Sequence, residues 1–254
     1  MTTKPTRQSH PTDEQGHIVP LPDPPRNPDG MQQLPHISRI NVILDAYYRG
    51  LGRNDVLVNG EGYLCTSPGA RSNLVVPDCV VAFGVDPEAI TNRNGYVINE
   101  VGKPPDLVLE VGSASTGRRD YMVKPGIYAG FGISEYWRFD PTGGKHHGVP
   151  LAGDRLVENE YFPIETITSE EGLVWGHSQI LGLDLCWDNG RLRFYDPATR
   201  EYLPDYEEIK AQFDSEVVAR SRAEARANAE AARANEAEAE LRRLREILRH
   251  ESGE

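Results

Sequence analysis

The 254-residue sequence predicts an α/β (α+β) fold: a mixed central sheet flanked by helices, a β-hairpin extension and a long C-terminal helix. Three observations carry this expectation. Apolar residues at helical spacing give way to short β-type runs, then to a second helical stretch and a further strand. Turn residues then punctuate a run of hairpin-like segments. From about residue 205 the composition becomes rich in Ala, Glu and Arg.

Taken in order, residues 1–30 are rich in Pro, Asp, Asn and Gly, with PLPDPPRNPDG the densest part, and are expected to form a disordered, extended arm. Ile37, Ile40, Val42, Ile43, Leu44, Ala46, Tyr47 and Leu51 then recur near helical spacing, with Gly50 and Gly52 closing a first helix. Strands are expected at 55–64, 73–84 and 105–111, broken by Gly60, Pro68-Gly69 and Asn94-Gly95. A helix at 118–130 leads to a strand at 135–140. Beyond Pro141 the chain reads as hairpins, and Asp188-Asn189-Gly190 between LGLDLCW and RLRFY marks a tight turn. The stretch EVVARSRAEARANAEAARANEAEAELRRLREILRH contains no Gly or Pro and reads as one helix. Leu241, Leu244 and Leu248 follow the spacing of a coiled-coil seam, so this helix is a candidate for homodimerisation, with a solvated single helix as the alternative. The domains expected are an arm at 1–30, a core at 31–204 and a C-terminal helix at 205–254.

Composition narrows the setting. No apolar run approaches the roughly 20 residues that span a bilayer, and the N-terminus lacks the apolar stretch of a signal peptide. Cys65, Cys79 and Cys186 are widely spaced without metal-ligand patterning, which suits reduced thiols in a cytoplasmic protein with no membrane partner. The formal net charge of -12 opposes nucleic-acid binding by bulk electrostatics. Contact with DNA would require a local basic patch and bound cations.

Two acids lie inside apolar runs. In LVVPDCVVAF, alternation puts Asp78 on one face with Val76 and Val80, and both faces are apolar, as in a strand covered on both sides. In PPDLVLEVGS, Glu110 shares a face with Val108 and Asp106. A buried carboxylate needs a cation, a hydrogen-bond donor or a proton. Two on adjacent strands repel unless a shared divalent metal relieves them, and hard cations favour such oxygens. The bland alternative is that each acid sits at a strand end against an Arg or Lys.

The succession VPD at 76–78, PPDLVLEV at 104–111, Ser113, Lys124, Tyr128 and GISEYW at 132–137 resembles the Uma2 group of restriction-endonuclease-like proteins, within the PD-(D/E)XK nuclease superfamily. The resemblance spans about 31–195 and implies a restriction-endonuclease-like core and a metal-dependent endonuclease hydrolysing phosphodiester bonds of DNA. It implies that Asp78 and Glu110 bind Mg²⁺ or Mn²⁺ with the main-chain carbonyl of Val111, that Lys124 assists catalysis, and that Asp106 and Tyr128 support these groups from behind. Gly112 stands where the superfamily's strand lysine would be, so the resemblance moves that role to Lys124. Lys124 precedes Pro125-Gly126, which suits a helix beginning there. The acid found in many members' first helix has no convincing match in Asp45.

Other candidates have a plainer reading beside the functional one. Arg118 and Arg119 could face phosphate, or belong to a solvated helix start in which Asp120 pairs with Lys124. His146 and His147 read as a surface turn, and His177 has no partner at ligand spacing. Tyr128, Tyr136 and Trp137 read as core aromatics rather than base-stacking platforms. A catalytically inactive module acting in binding or assembly through the C-terminal helix is the alternative to the enzyme. Geometry separates the two: in an enzyme, Asp78, Glu110 and the Lys124 amine converge.

Overall fold

The computed structural model describes residues 10–25, 30–68 and 74–251. It comprises two compact units, Met1–Tyr206 and Glu207–Glu254. The first opens with helix α1 (Gly30–Gly50), which buries Ile37, Ile40, Ile43, Leu44 and Tyr48 at the spacing the sequence predicts. Then come β1 (Val56–Asn59), β2 (Tyr63–Cys65), β3 (Cys79–Phe83), α2 (Pro87–Asn92), β4 (Gly95–Val97), α3 (Ile98–Val101) and β5 (Leu107–Val111). Helices α4 (Gly117–Met122) and α5 (Lys124–Phe131) lead to β6 (Glu135–Phe139), β7 (Leu151–Val157) and β8 (Glu160–Pro163).

The central sheet has the order β1-β3-β5-β6-β7-β8 and is mixed: β5 and β6 are parallel, and their neighbours antiparallel. A parallel pair cannot be closed by a hairpin, so α4 and α5 form the crossover between β5 and β6. All five residues of β5 and of β6 are buried, as befits strands covered on both faces. Leu57, Val80, Val108, Tyr128, Phe131 and Tyr136 belong to the main apolar cluster.

A second, antiparallel sheet holds β9 (Thr166–Thr168), β10 (Val174–Ser178), β11 (Leu183–Asp188), β12 (Arg191–Asp196) and β13 (Glu201–Tyr202). Its β11–β12 hairpin closes at Asn189 and Gly190, both at positive φ, as the Asp-Asn-Gly sequence predicts. Helix α6 (Tyr206–Glu251) is a single 46-residue helix. The side chains of Leu241, Leu244 and Leu248, on which the coiled-coil seam rests, lie outside the described residues. Among the described residues no helix is long and apolar enough to cross a membrane.

Four segments differ from the sequence reading. The run at 55–64 divides into β1 and β2 because Gly60 packs on the main chain of Asp78, where a Cβ would lie 1.9 Å from the carbonyl oxygen. The run at 73–84 shortens to β3, leaving Asp78 one residue ahead of the strand: Pro77 has no N–H, and the Asp78 carbonyl is taken by Asn41 Nδ2 at 3.1 Å. The helix at 118–130 breaks at Val123, since Pro125 cannot donate to the carbonyl four residues back. Residues 10–25, part of the expected free arm, are tied down by polar contacts that hydropathy cannot reveal. Leu21 N donates to the Arg93 carbonyl at 2.8 Å, the Arg93 guanidinium to the Val19 carbonyl at 2.5 Å, and His10 lies 3.1 Å from Glu100.

Glu135 joins the two sheets. Its buried carboxylate accepts from Ser178 Oγ (2.5 Å) and Gln179 N (2.9 Å) of the second sheet's segment, and from Arg155 (2.9 Å) and Trp137 Nε1 (3.1 Å) of the first. The Trp137 indole lies flush against Gly153 and Gly176, where added Cβ atoms would come within 2.8 and 3.1 Å of it. Gly153→Ala is therefore expected to overpack this junction and lower unfolding free energy by about 1–3 kcal/mol, read from the urea midpoint at unchanged slope.

Candidate active site

Antiparallel pairing sets Cys79 opposite Leu109, so the next step of that register brings Asp78 beside Glu110. Asp78 Oδ2 accepts the Val111 main-chain N–H at 2.8 Å, which pins the carboxylate to the end of β5. From α1, the buried Gln33 amide donates to the Val111 carbonyl at 2.5 Å and reaches Asp78 Oδ2 at 3.5 Å. Glu110 is 1 % exposed. Its Oε1 accepts the Tyr128 hydroxyl and lies 2.7 Å from the Lys124 Nζ.

Lys124 opens α5, with Pro125 in the first turn, and its amine is directed inward rather than to solvent. A second carboxylate, Asp120, sits 2.7 Å from the same Nζ and is fully buried. Behind Asp120, His147 Nε2 approaches Oδ2 at 3.4 Å. His147 is held by its main-chain N–H, which Asp140 accepts at 2.9 Å, along with that of His146 at 2.6 Å. The result is a continuous buried series: Tyr128, Glu110, Lys124, Asp120, His147.

The electrostatics follow from this packing. Burial and then the neighbouring Glu110 push the Asp78 carboxyl well above the usual carboxylate range. Burial likewise raises Glu110, with Lys124 pulling the other way. Asp120 behaves oppositely: burial disfavours its charge, but His147 and Lys124 more than offset this and hold it below its ordinary value. For Lys124, burial is outweighed by Glu110, Asp120 and Asp78, so the ammonium is held above its ordinary value. Tyr128 is raised by burial and by Glu110, so it remains a donor.

Asp78, Glu110, Lys124 and Tyr128 are thus brought together. Asp106 is not: it lies at the opposite end of β5, paired with Lys103 Nζ at 2.6 Å and accepting Phe83 N. Asp45 pairs with Arg49 on α1. His177 contacts Asp184 in the second sheet. Tyr136 and Trp137 are fully buried core aromatics. Three participants escape the sequence reading. Asp120 does pair with Lys124, but inside the protein; the signal was the buried spacing Gly117, Asp120, Lys124, Tyr128 along one side of α4 and α5. His147, expected in a surface turn, is 4 % exposed because Gly112 leaves room for it: a Cβ there would lie 3.2 Å from the imidazole. Gln33 is one of three amides on α1, with Gln32 and Asn41, and nothing in the sequence singled it out.

The main-chain carbonyl of Val111 and the carboxylates of Asp78 and Glu110 make a donor set of hard oxygens. Among the described residues no three His, Cys, Asp or Glu side chains are grouped to hold a metal. A Mg²⁺-type site needs no such cage, since it is typically held by one or two carboxylates with water and substrate phosphate completing the shell. Both carboxylates are raised by burial, and the Gln33 amide lies within reach of the Val111 carbonyl and Asp78 Oδ2. A cleft of about 820 Å³ opens onto Asp78 and Lys124, bordered by Gln33, Asn59, Tyr63 and Arg119.

The family model described as "Uma2: Putative restriction endonuclease" matches residues 26–185, a span containing every member of this cluster. Among solved structures, one described as "a putative nuclease" from Anabaena variabilis is similar at 16 % identity, covering 63 % of this chain and 85 % of that chain with a TM-score of 0.37. No curated protein matches.

A raised carboxyl binds its proton more tightly in the folded than in the unfolded state, so its contribution to stability is complete below the unfolded value near pH 4 and is lost as pH rises. Asp78→Asn removes that loss. In metal-free buffer the variant is expected to melt close to wild type near pH 4 and about 3 °C higher at pH 8, roughly 1 kcal/mol for a chain of this size. Thermal melts across this range check it.

Proposed function

The chain belongs to the Uma2 family, and on that premise we propose that it is a metal-dependent endonuclease that hydrolyses phosphodiester bonds of DNA. The observation that carries this reading is the inward Lys124 amine, 2.7 Å from the buried Glu110, with Lys124 and Asp78 both lining the cleft. An inactive module has no need of a buried ammonium aimed at two carboxylates, since a buried ion pair is a poor source of stability.

Asp78, Glu110 and the Val111 carbonyl would hold Mg²⁺ or Mn²⁺. When bound, such an ion supplies Lewis-acid charge for a phosphoryl oxygen and lowers the pKa of a coordinated water. The protein's own groups have distinct tasks. Lys124, kept protonated by its three carboxylates, is a fixed positive charge suited to stabilising negative charge that develops on the phosphate. Tyr128 donates to Glu110 and fixes its rotamer. Asp120 and His147 hold the ammonium from behind, so it need not reorganise during reaction. Val111 N–H orients Asp78. A net charge of -12 leaves this local site, rather than the protein's overall field, to attract the polyanion. Three buried free thiols suit a reducing, cytoplasmic setting. Cutting both strands of a duplex suits a two-fold assembly, for which α6 is the candidate element.

Supercoiled plasmid supplies the test. Wild type with Mg²⁺ or Mn²⁺ is expected to nick it, and chelation to stop the reaction. Lys124→Met is expected to slow nicking about 10²- to 10³-fold, the usual loss of one charge-stabilising donor. A folded wild type that leaves plasmid intact with both ions, or nicking that persists in Glu110→Gln at the wild-type rate, contradicts the reading.

A further inference from the structure

Helix α4 has two unlike sides. Gly117 and Asp120 turn inward to the buried cluster, whereas Arg118, Arg119, Tyr121, Met122 and Val123 are exposed. Tyr121 is 57 %, Met122 64 % and Val123 50 % accessible, three consecutive large apolar side chains in water. A merely solvated helix face would not spend such residues there, because burying apolar surface is the favourable direction.

The two arginines, like Arg191 and Arg200, hold no carboxylate among the described residues. Arg49, Arg53, Arg93, Arg138 and Arg155 each hold a carboxylate. Arg118 and Arg119 have no ion-pair or hydrogen-bond partner among the described residues, despite the acidic composition. Arg119 and Thr116 border the same cleft as Asp78 and Lys124. The free Arg119 guanidinium therefore borders the site, Arg118 stands next to it in the chain, and an exposed aromatic with two apolar neighbours follows.

We propose that this ridge, 118–123, seats a single-stranded stretch of DNA beside the bond to be cut. Arg118 and Arg119 take backbone phosphates, and Tyr121, one turn on from Arg118, stacks on an unpaired base, with Met122 beside it on the same outer face. The proposal rests on the nuclease reading for the identity of its partner. Single strand is preferred over duplex because a tyrosine face can stack only on a base that is not already stacked on both sides, whereas guanidiniums alone would serve either form. Arginine's planar fork suits phosphate, and among the described residues lining the cleft the cations are Arg119 and Lys124, so charge complementarity to a phosphate lies at this edge.

The test uses the full chain and a fluorescein-labelled 12-mer of thymidylate, with a 12-base-pair duplex for comparison, by fluorescence anisotropy in EDTA so that no strand is cut. Wild type is expected to bind the single strand more tightly. The double variant Arg118→Ala/Arg119→Ala should flatten the slope of log affinity against log salt by about 1.4, or about 0.7 for each phosphate no longer neutralised. Tyr121→Ala should weaken binding about tenfold at unchanged salt slope, and Tyr121→Phe should restore it. Unchanged melting temperatures separate these effects from misfolding. Wild-type affinity in all three variants, a Tyr121→Phe no better than Tyr121→Ala, or a preference for duplex overturns the proposal. If those variants bind and nick plasmid as wild type does, the ridge fails while the nuclease reading stands. If binding depends on the ridge but no metal supports nicking, the ridge stands and the nuclease reading fails.

Discussion

The interaction on which the site depends is the buried pair of Lys124 and Glu110, 2.7 Å apart with only 7 % and 1 % of their side chains exposed. Taking both charges out of water carries a penalty that their attraction only partly returns, so such a pair contributes little net stability. Removing one partner is another matter, because the survivor is left charged and uncompensated, at a typical loss of about 3–5 kcal/mol. Asp120 on one side and Tyr128 on the other give the pair a second countercharge and a hydrogen-bond donor, and His147 stands behind Asp120. An arrangement that stabilises so little, yet tolerates so little change, is more readily understood as a preorganised charge than as a structural strut.

The fold supplies that preorganisation through one crossover. Glu110 belongs to β5, Lys124 to α5 and Asp120 to α4, so the three groups come from a single strand–helix–helix passage within about fifteen residues of chain. Asp78 is added from the neighbouring antiparallel strand's entry, held by the Gly60 close approach and by Asn41. The strands beneath are fixed by apolar burial on both faces, and β6 is locked to the second sheet through Glu135. Regular elements carry Glu110 and Asp120, Asp78 stands one residue ahead of β3 with its carboxylate pinned by Val111 N–H, and the loop at 140–150 is itself pinned by Asp140.

Much of this was legible in the residues. The mixed sheet followed from runs of alternating and continuous apolar residues, and the β11–β12 turn from Asn189-Gly190. Lys124 at the mouth of a helix followed from Pro125, whose ring fixes φ and lacks an N–H. What escaped were groups whose surroundings are made by distant parts of the chain. Nothing near His147 marks it as buried; the space it fills exists because residue 112, on another element, is glycine. Asp106 immediately precedes the strand that holds Glu110, and periodicity cannot tell that this end of the strand faces Lys103 instead. Gln33 is an uncharged side chain, whose importance lies in the two acceptors that the sheet brings to it. The segment at 10–25 is ordered by hydrogen bonds to Arg93 and Asn94, which composition does not register.

The most direct measurement of the central claim, that Asp78 and Glu110 with the Val111 carbonyl form a cation site completed by Lys124, is a calorimetric titration of Mn²⁺ and Mg²⁺ into wild type and into the Asp78→Ala/Glu110→Ala double variant. A saturable heat in wild type that disappears in a folded variant is the expected result. No heat in wild type with either ion, or the same binding isotherm in both proteins, would contradict it.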